Sequence, residues 1–150
     1  MIEIERKFKV KKEIWNQLIK PDPQLIQQSY LSKNKECTIR IRVKNNKGYL
    51  TIKGETQNIT RSEFEYEIPL EDFQSMITQF DPKVLSKNRY EIEVGNHIWE
   101  VDEFQGKLEG LIIAEIELAS ENEVFDLPNW VDEEVSNDPY YYNSNLINQL

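Results

Sequence analysis

Met1-Ile2-Glu3-Ile4-Glu5-Arg6-Lys7-Phe8-Lys9-Val10 opens the chain, and its alternation of charge with hydrocarbon sets the reading of everything after it. As a strand, it shows Glu3, Glu5 and Lys7 on one face and Ile2, Ile4 and Phe8 on the other. One face can pack. The other carries two carboxylates two residues apart, which repel one another unless a cation lies between them. A solvated edge strand is the bland alternative, and the remaining sequence decides between the two.

The same device recurs along the chain. In Cys37–Lys44, Ile39, Ile41 and Val43 face one way and Arg40, Arg42 and Lys44 the other. Asn45-Asn46-Lys47-Gly48 reads as a turn, returning through residues 49–53 with Lys53 in register with Tyr49 and Thr51. In residues 61–68, Glu63, Glu65 and Glu67 oppose Phe64, Tyr66 and Ile68. Residues 87–94 put Lys87 and Arg89 on the face of Glu91 and Glu93, and Gly95-Asn96 turns the chain into residues 98–104, where Glu100 and Asp102 oppose Trp99 and Val101. In residues 111–118, Glu115 and Glu117 face away from Ala114, Ile116 and Leu118. Residues 25–31 form a further strand with Ile26, Gln28 and Tyr30 on one side.

Helical spacing appears in residues 12–20, which end at Pro21 and Pro23 and use Trp15 for packing, and in residues 70–80, with Phe73, Met76, Ile77 and Phe80 as the buried stripe. Residues 119–138 are acidic and irregular, and Asn143-Ser144 caps a short last helix. No internal repeat or low-complexity tract is present.

At 150 residues with a net charge of −9, the chain reads as one domain, 1–150, that does not bind nucleic acid or anionic membranes by general electrostatics. One cysteine, Cys37, excludes an internal disulfide, fits a cytoplasmic location and reads as a buried strand thiol. One histidine, His97, excludes His-based triads and His-rich zinc sites. Any metal is held by oxygen. The sequence offers neither a signal peptide nor a membrane span.

These elements imply an α+β fold, a large antiparallel sheet curled into a barrel with a few covering helices. If the apolar faces point outward under helices, the charged faces line a lumen; if inward, the charges are merely solvated. Sorting of signs by strand favours the lumen. Carboxylate clusters suit Mg²⁺ or Mn²⁺, and rows of Arg and Lys suit phosphate oxygens. Two unit charges ~4 Å apart interact by roughly 4 kcal/mol at an effective dielectric of 20, so unpaired lumen carboxylates require cations.

Glu3-x-Glu5-x-Lys7, Arg40-x-Arg42, Gly48-Tyr49-Leu50-Thr51-Ile52-Lys53-Gly54, Glu63-Phe64-Glu65-Tyr66-Glu67-Ile68-Pro69, Lys87-Asn88-Arg89-Tyr90, Trp99-Glu100-Val101-Asp102, Ala114-Glu115-Ile116-Glu117-Leu118 and Tyr142-Asn143-Ser144-Asn145-Leu146 together resemble the compact bacterial members of the CYTH superfamily, the triphosphate tunnel metalloenzymes. The resemblance implies a closed eight-stranded antiparallel tunnel that binds a triphosphate with divalent metal. It assigns the phosphates to Lys7, Arg40, Arg42, Lys53, Lys87 and Arg89. It assigns the metal to a pool of Glu3, Glu5, Glu65, Glu67, Asp102, Glu115 and Glu117, with Glu63 and Glu100 as outer members. Glu3, Glu5, Lys7, Arg40 and Arg42 would be catalytic. Tyr140 stands where the family pattern suggests a base, and Glu103 where it suggests an apolar residue.

The leading expectation is a metal-dependent triphosphatase that cleaves inorganic tripolyphosphate to pyrophosphate and phosphate with Mg²⁺ or Mn²⁺. The rivals are a cyclase converting ATP to cyclic AMP, which needs an adenine site, and a non-catalytic polyphosphate binder. A lipocalin-like carrier fails because the faces opposite the packing ones are charged. The partner is a small triphosphate, with no nucleic acid or membrane, and a small barrel permits a homodimer.

Overall fold

The computed structural model describes all of residues 1–150. In chain order the strands are β1 (Ile2–Val10), β2 (Gln24–Asn34), β3 (Cys37–Lys44), β4 (Lys47–Gly54), β5 (Thr60–Ile68), β6 (Leu85–Val94), β7 (His97–Phe104), β8 (Ile112–Glu117) and β9 (Val131–Glu134). The helices are α1 (Lys12–Gln17), α2 (Leu70–Phe80) and α3 (Asn143–Leu146). All pairings are antiparallel in the order β5-β4-β3-β2-β6-β7-β8-β1-β9. A further pairing of Ile2, Glu3 and Ile4 with Ser62, Arg61 and Thr60 joins β5 to β1, so the ladder returns to its start through eight strands. No helix is long and apolar enough to cross a membrane.

β9 is the ninth strand, within the stretch that reads as irregular. It pairs with the far end of β1, Val10 opposite Val131 and Phe8 opposite Glu134. Val131 is its one apolar residue, so alternation leaves no trace of it. Asn45 and Asn46 both take positive φ, 53° and 60°, the two-residue hairpin geometry that Asn tolerates. Gly95 does the same for β6 and β7 at φ 61°.

Apolar strand faces point outward on the β1-β7-β8 side. Phe8, Val10, Trp99, Val101, Ala114 and Ile116 pack there beneath Trp15 of α1 and Trp130 of the long loop before β9. Trp15 meets Trp130 edge to face at 5.3 Å, and its indole N–H donates to Glu103 at 2.7 Å. Glu103 is therefore an outward partner for a buried ring. α1 ends at Gln17 rather than at residue 20, because the prolines that follow favour extended backbone; Lys20 Nζ donates to the carbonyls of Trp15 and Leu18 beyond that end.

α2 packs over β4 and β3. Its cover does not reach the start of β3, where Cys37 is exposed. The cysteine shares the apolar face, as its parity requires, yet it is not the buried thiol expected, since Ile41 further along that face is the one fully covered.

Inward-facing positions change character along the sheet. Lys87, Arg89, Asp102 and Glu115 give way at one end to Leu85, Phe104 and Ile113, which cluster with Leu146 and Ile147 of the C-terminal segment. That segment packs into one end of the curled sheet as a plug.

Candidate active site

Above the plug lies a cavity of about 190 Å³ lined by 24 residues. Eight are basic (Lys7, Arg40, Arg42, Lys44, Lys53, Arg61, Lys87, Arg89) and seven acidic (Glu3, Glu5, Glu63, Glu65, Glu100, Glu115, Glu117), against three hydrophobic ones (Tyr30, Ile59, Tyr142). Alternation puts these groups inside: β1, β7 and β8 turn their other face to the outer core and β3 and β4 turn theirs toward α2, while Phe64 and Tyr66 on the outer face of β5 stay exposed.

The charges fall into three groups. Glu3 accepts from Lys53 Nζ at 2.9 Å and Arg61 Nε at 3.2 Å, and Lys53 also reaches Glu63 at 3.1 Å. Burial alone would raise the Glu3 carboxyl, but these cations hold it down at about 2. On β3 and β4, Glu65 accepts from Arg40 Nη2 at 3.3 Å, Arg42 Nη2 at 3.4 Å and the Thr51 hydroxyl at 2.8 Å. Burial and the neighbouring Arg40 and Arg89 lower the Arg42 guanidinium to about 10.

The third group is deepest. Asp102 takes a two-pronged bond from Arg89, 2.7 Å from Nε and 2.8 Å from Nη2, and Lys87 Nζ at 2.8 Å. Arg89 also reaches Glu100 at 2.9 Å and Glu115 at 3.5 Å. Burial pushes the Lys87 ammonium down to about 8 despite Asp102. Lys7 donates to the Tyr141 carbonyl at 3.2 Å, and Lys87 to Asn143 Oδ1 at 3.4 Å. The plug thus occupies donors of two lysines. Asn143 is not a helix cap: Tyr142 holds the cap position without a side-chain bond, and Asn143 faces Lys87.

One oxygen each of Glu3, Glu5 and Glu117 lies within 4.8 Å of the others, a spacing that can hold a metal ion. Desolvation and then Glu115 drive Glu5 well above the ordinary carboxylate range. Desolvation and then Glu3 raise Glu117. The register explains the cluster, because β1 sets Glu3 against Arg61 of β5 and Glu5 against Glu117 of β8.

Of the sequence-derived metal pool, Glu3, Glu5 and Glu117 come together. Glu115 lies deeper, 4.0 Å from Lys7. Asp102 is tied up by Arg89 and Lys87, Glu65 by the two arginines and Thr51, and Glu67 is exposed near the far end of β5, outside the lining. All six phosphate-binding candidates, Lys7, Arg40, Arg42, Lys53, Lys87 and Arg89, line the cavity.

Residues 1–148 match the sequence model of the CYTH domain. The chain belongs to the CYTH domain family. It is 46% identical over 146 residues to a protein of Acetivibrio thermocellus named inorganic triphosphatase, covering 97% of this chain and 92% of that one. A protein of the same name from Nitrosomonas europaea is 30% identical, with 97% of each chain covered. Among solved structures, an inorganic triphosphatase superposes with a TM-score of 0.68 at 27% identity, covering 99% of this CYTH chain and 95% of the other.

Sequence reading missed Arg61 as a site residue, although its parity with Glu63 and Glu65 on one strand was a signal for it. It also passed over Lys44, which continues the Arg40-x-Arg42 row. Thr56, Asn58 and Ile59 of the β4–β5 loop, and Ser136, line the cavity through loop geometry that no periodicity encodes. Tyr140 is exposed and donates to Gln149, away from the cavity.

Proposed function

We propose that this CYTH domain, residues 1–150, hydrolyses inorganic tripolyphosphate to pyrophosphate and phosphate with a divalent cation, Mg²⁺ or Mn²⁺. One observation carries the proposal: a cavity above the plug whose 24 lining residues include fifteen charged ones and only three hydrophobic ones, Tyr30, Ile59 and Tyr142. Such a lining recognises a compact polyanion at every phosphoryl group and offers little to a nucleobase. The two relatives named inorganic triphosphatase support the same reading.

Glu3, Glu5 and Glu117 fit a hard cation. They are all oxygen donors within mutual reach, and the raised pKa of Glu5 and Glu117 reflects first burial and then the repulsion of neighbouring carboxylates, both of which a bound divalent charge would offset. A bound ion would neutralise phosphoryl oxygens and polarise the reacting phosphorus. The remaining work belongs to the protein. Lys7, Lys53 and Lys87 supply point charges to phosphoryl oxygens, and Arg40 and Arg42 turn their forks from Glu65 to the substrate. Arg89, locked on Asp102, presents a fixed cationic surface. Lys7, Arg40 and Arg42 stabilise the charge that builds on the phosphates as water attacks in line, and a carboxylate free of the cation takes that water's proton. Catalysis is mostly positioning and charge stabilisation.

Phosphorus NMR of the protein with tripolyphosphate and ATP in competition, in Mg²⁺ or Mn²⁺, tests the reading. Pyrophosphate and phosphate from tripolyphosphate are expected, and their loss in Glu5→Gln. Cyclic AMP would make the protein a cyclase instead, and two intact substrates would make it a binder.

A further inference from the structure

Gln28 on β2 occupies a place that a hydrocarbon side chain would fill without burying an unpaired polar atom. It is 0% exposed and lies cross-strand from Leu85 and two residues from Ile26, both also fully buried. Its other cross-strand partner is Arg42. The Gln28 amide Nε2 donates to the Tyr30 hydroxyl at 3.1 Å, while its Oε1 has no partner. Arg42 Nε is likewise buried without a partner. Buried polar atoms left unpaired are uncommon and call for an explanation.

The two orphans are complementary, a carbonyl acceptor and an N–H donor on directly paired residues. Glu65 holds Arg42 through Nη2 at 3.4 Å, a loose contact. When the fork turns from Glu65 to phosphate, Nε–H can donate to Gln28 Oε1. At Tyr30, which lines the cavity, the bond accepted from Gln28 uses the hydroxyl oxygen and leaves the O–H hydrogen free to donate.

We propose that Gln28 is a positioning residue of the triphosphate site, which directs the Tyr30 hydroxyl and receives Arg42 Nε when Arg42 engages phosphate. This rests on the triphosphate reading of the cavity. The test compares wild type, Gln28→Leu, Gln28→Glu, Tyr30→Phe and the Gln28→Leu/Tyr30→Phe double variant. It measures Tm, the Kd for tripolyphosphate with Mg²⁺ by calorimetry, and kcat and KM.

Gln28→Leu is expected to melt at or above wild type while Kd and kcat/KM worsen about tenfold, the scale of one hydrogen bond to a charged group. Adding Tyr30→Phe should cost less in that background than in wild type. Gln28→Glu keeps an acceptor for Arg42 and should retain more affinity than Gln28→Leu. Wild-type affinity and turnover in Gln28→Leu overturn the proposal, as do losses that merely multiply with Tyr30→Phe and follow a fall in Tm. If Gln28→Leu does not fold, Gln28→Glu decides: kinetics and Kd indistinguishable from wild type overturn the assignment. Wild type that binds without hydrolysing removes the triphosphatase reading and leaves Gln28 to the Kd comparison. Wild type that does not bind removes both.

Discussion

Lys87 reaches Asp102 at 2.8 Å in a wall where it is 1% exposed, yet its ammonium is lowered to about 8 because burial outweighs the carboxylate. The phosphate role proposed for Lys87 requires that charge, so tripolyphosphate affinity should fall as pH rises through about 8; calorimetry on either side of that pH checks it, and Lys87→Arg should lack the fall. Stability runs the other way. The folded chain sheds this proton before the unfolded chain does, so the cost of burying Lys87 shrinks as pH rises from about 8 toward the ordinary lysine value. Asp102, 1% exposed, answers both Lys87 and Arg89. Asp102→Ala leaves two buried cations short of their anion and should cost about 3–5 kcal/mol in urea unfolding. A metal-ligand role would instead weaken Mg²⁺ binding at unchanged stability. Sequence alone could place Asp102 on the charged face but not behind Arg89, since parity gives a side chain's direction and says nothing of its depth.

At the scale of elements, legibility follows periodicity. β1, β3, β5 and β8 show their inner faces as clean alternation of charge with hydrocarbon, and the tight turns announce themselves through Asn45-Asn46 and Gly95. What could not be read was set by tertiary partners. β9 exists because β1 outruns β5 and offers an open edge near Val10, and the plug exists because Leu85, Phe104 and Ile113 leave an apolar end inside the sheet. α1 shows how little local propensity is needed. It is six residues long with no side-chain cap, too short to form alone, and Trp15 anchors it against Tyr90 and Trp130. Trp15→Ala should therefore destabilise by about 3–5 kcal/mol, read in chemical unfolding, and release Glu103 to solvent, with the kinetics of the folded fraction little changed. An equal loss of kcat at full stability would contradict this division between outer core and site.

For the whole molecule, the cavity sets binding against folding, because its charges neutralise one another only in part. Glu5 shows the sign of that conflict. Desolvation and the adjoining Glu115 raise its pKa, so its contribution to stability is intact below the ordinary carboxylate value and is lost as pH rises from there through the folded value. Glu5→Gln mimics the protonated form. In metal-free solution it should melt above wild type at neutral pH, with the difference vanishing as acid protonates Glu5 in the native protein. In the proposed site, divalent cation and substrate should reverse the order, since a bound cation would draw on the ionised carboxylates of Glu3, Glu5 and Glu117. Tripolyphosphate with Mg²⁺ at about 100 times its Kd should add roughly 2.7 kcal/mol to the wild type, a rise of about 5–10 °C for a domain of this size, and much less to Glu5→Gln. Melting curves for both chains, across pH and with and without the two ligands, measure each of these shifts. A wild type that melts above Glu5→Gln without metal at neutral pH, or a variant that gains as much from ligand, would show that the carboxylate cluster is structural.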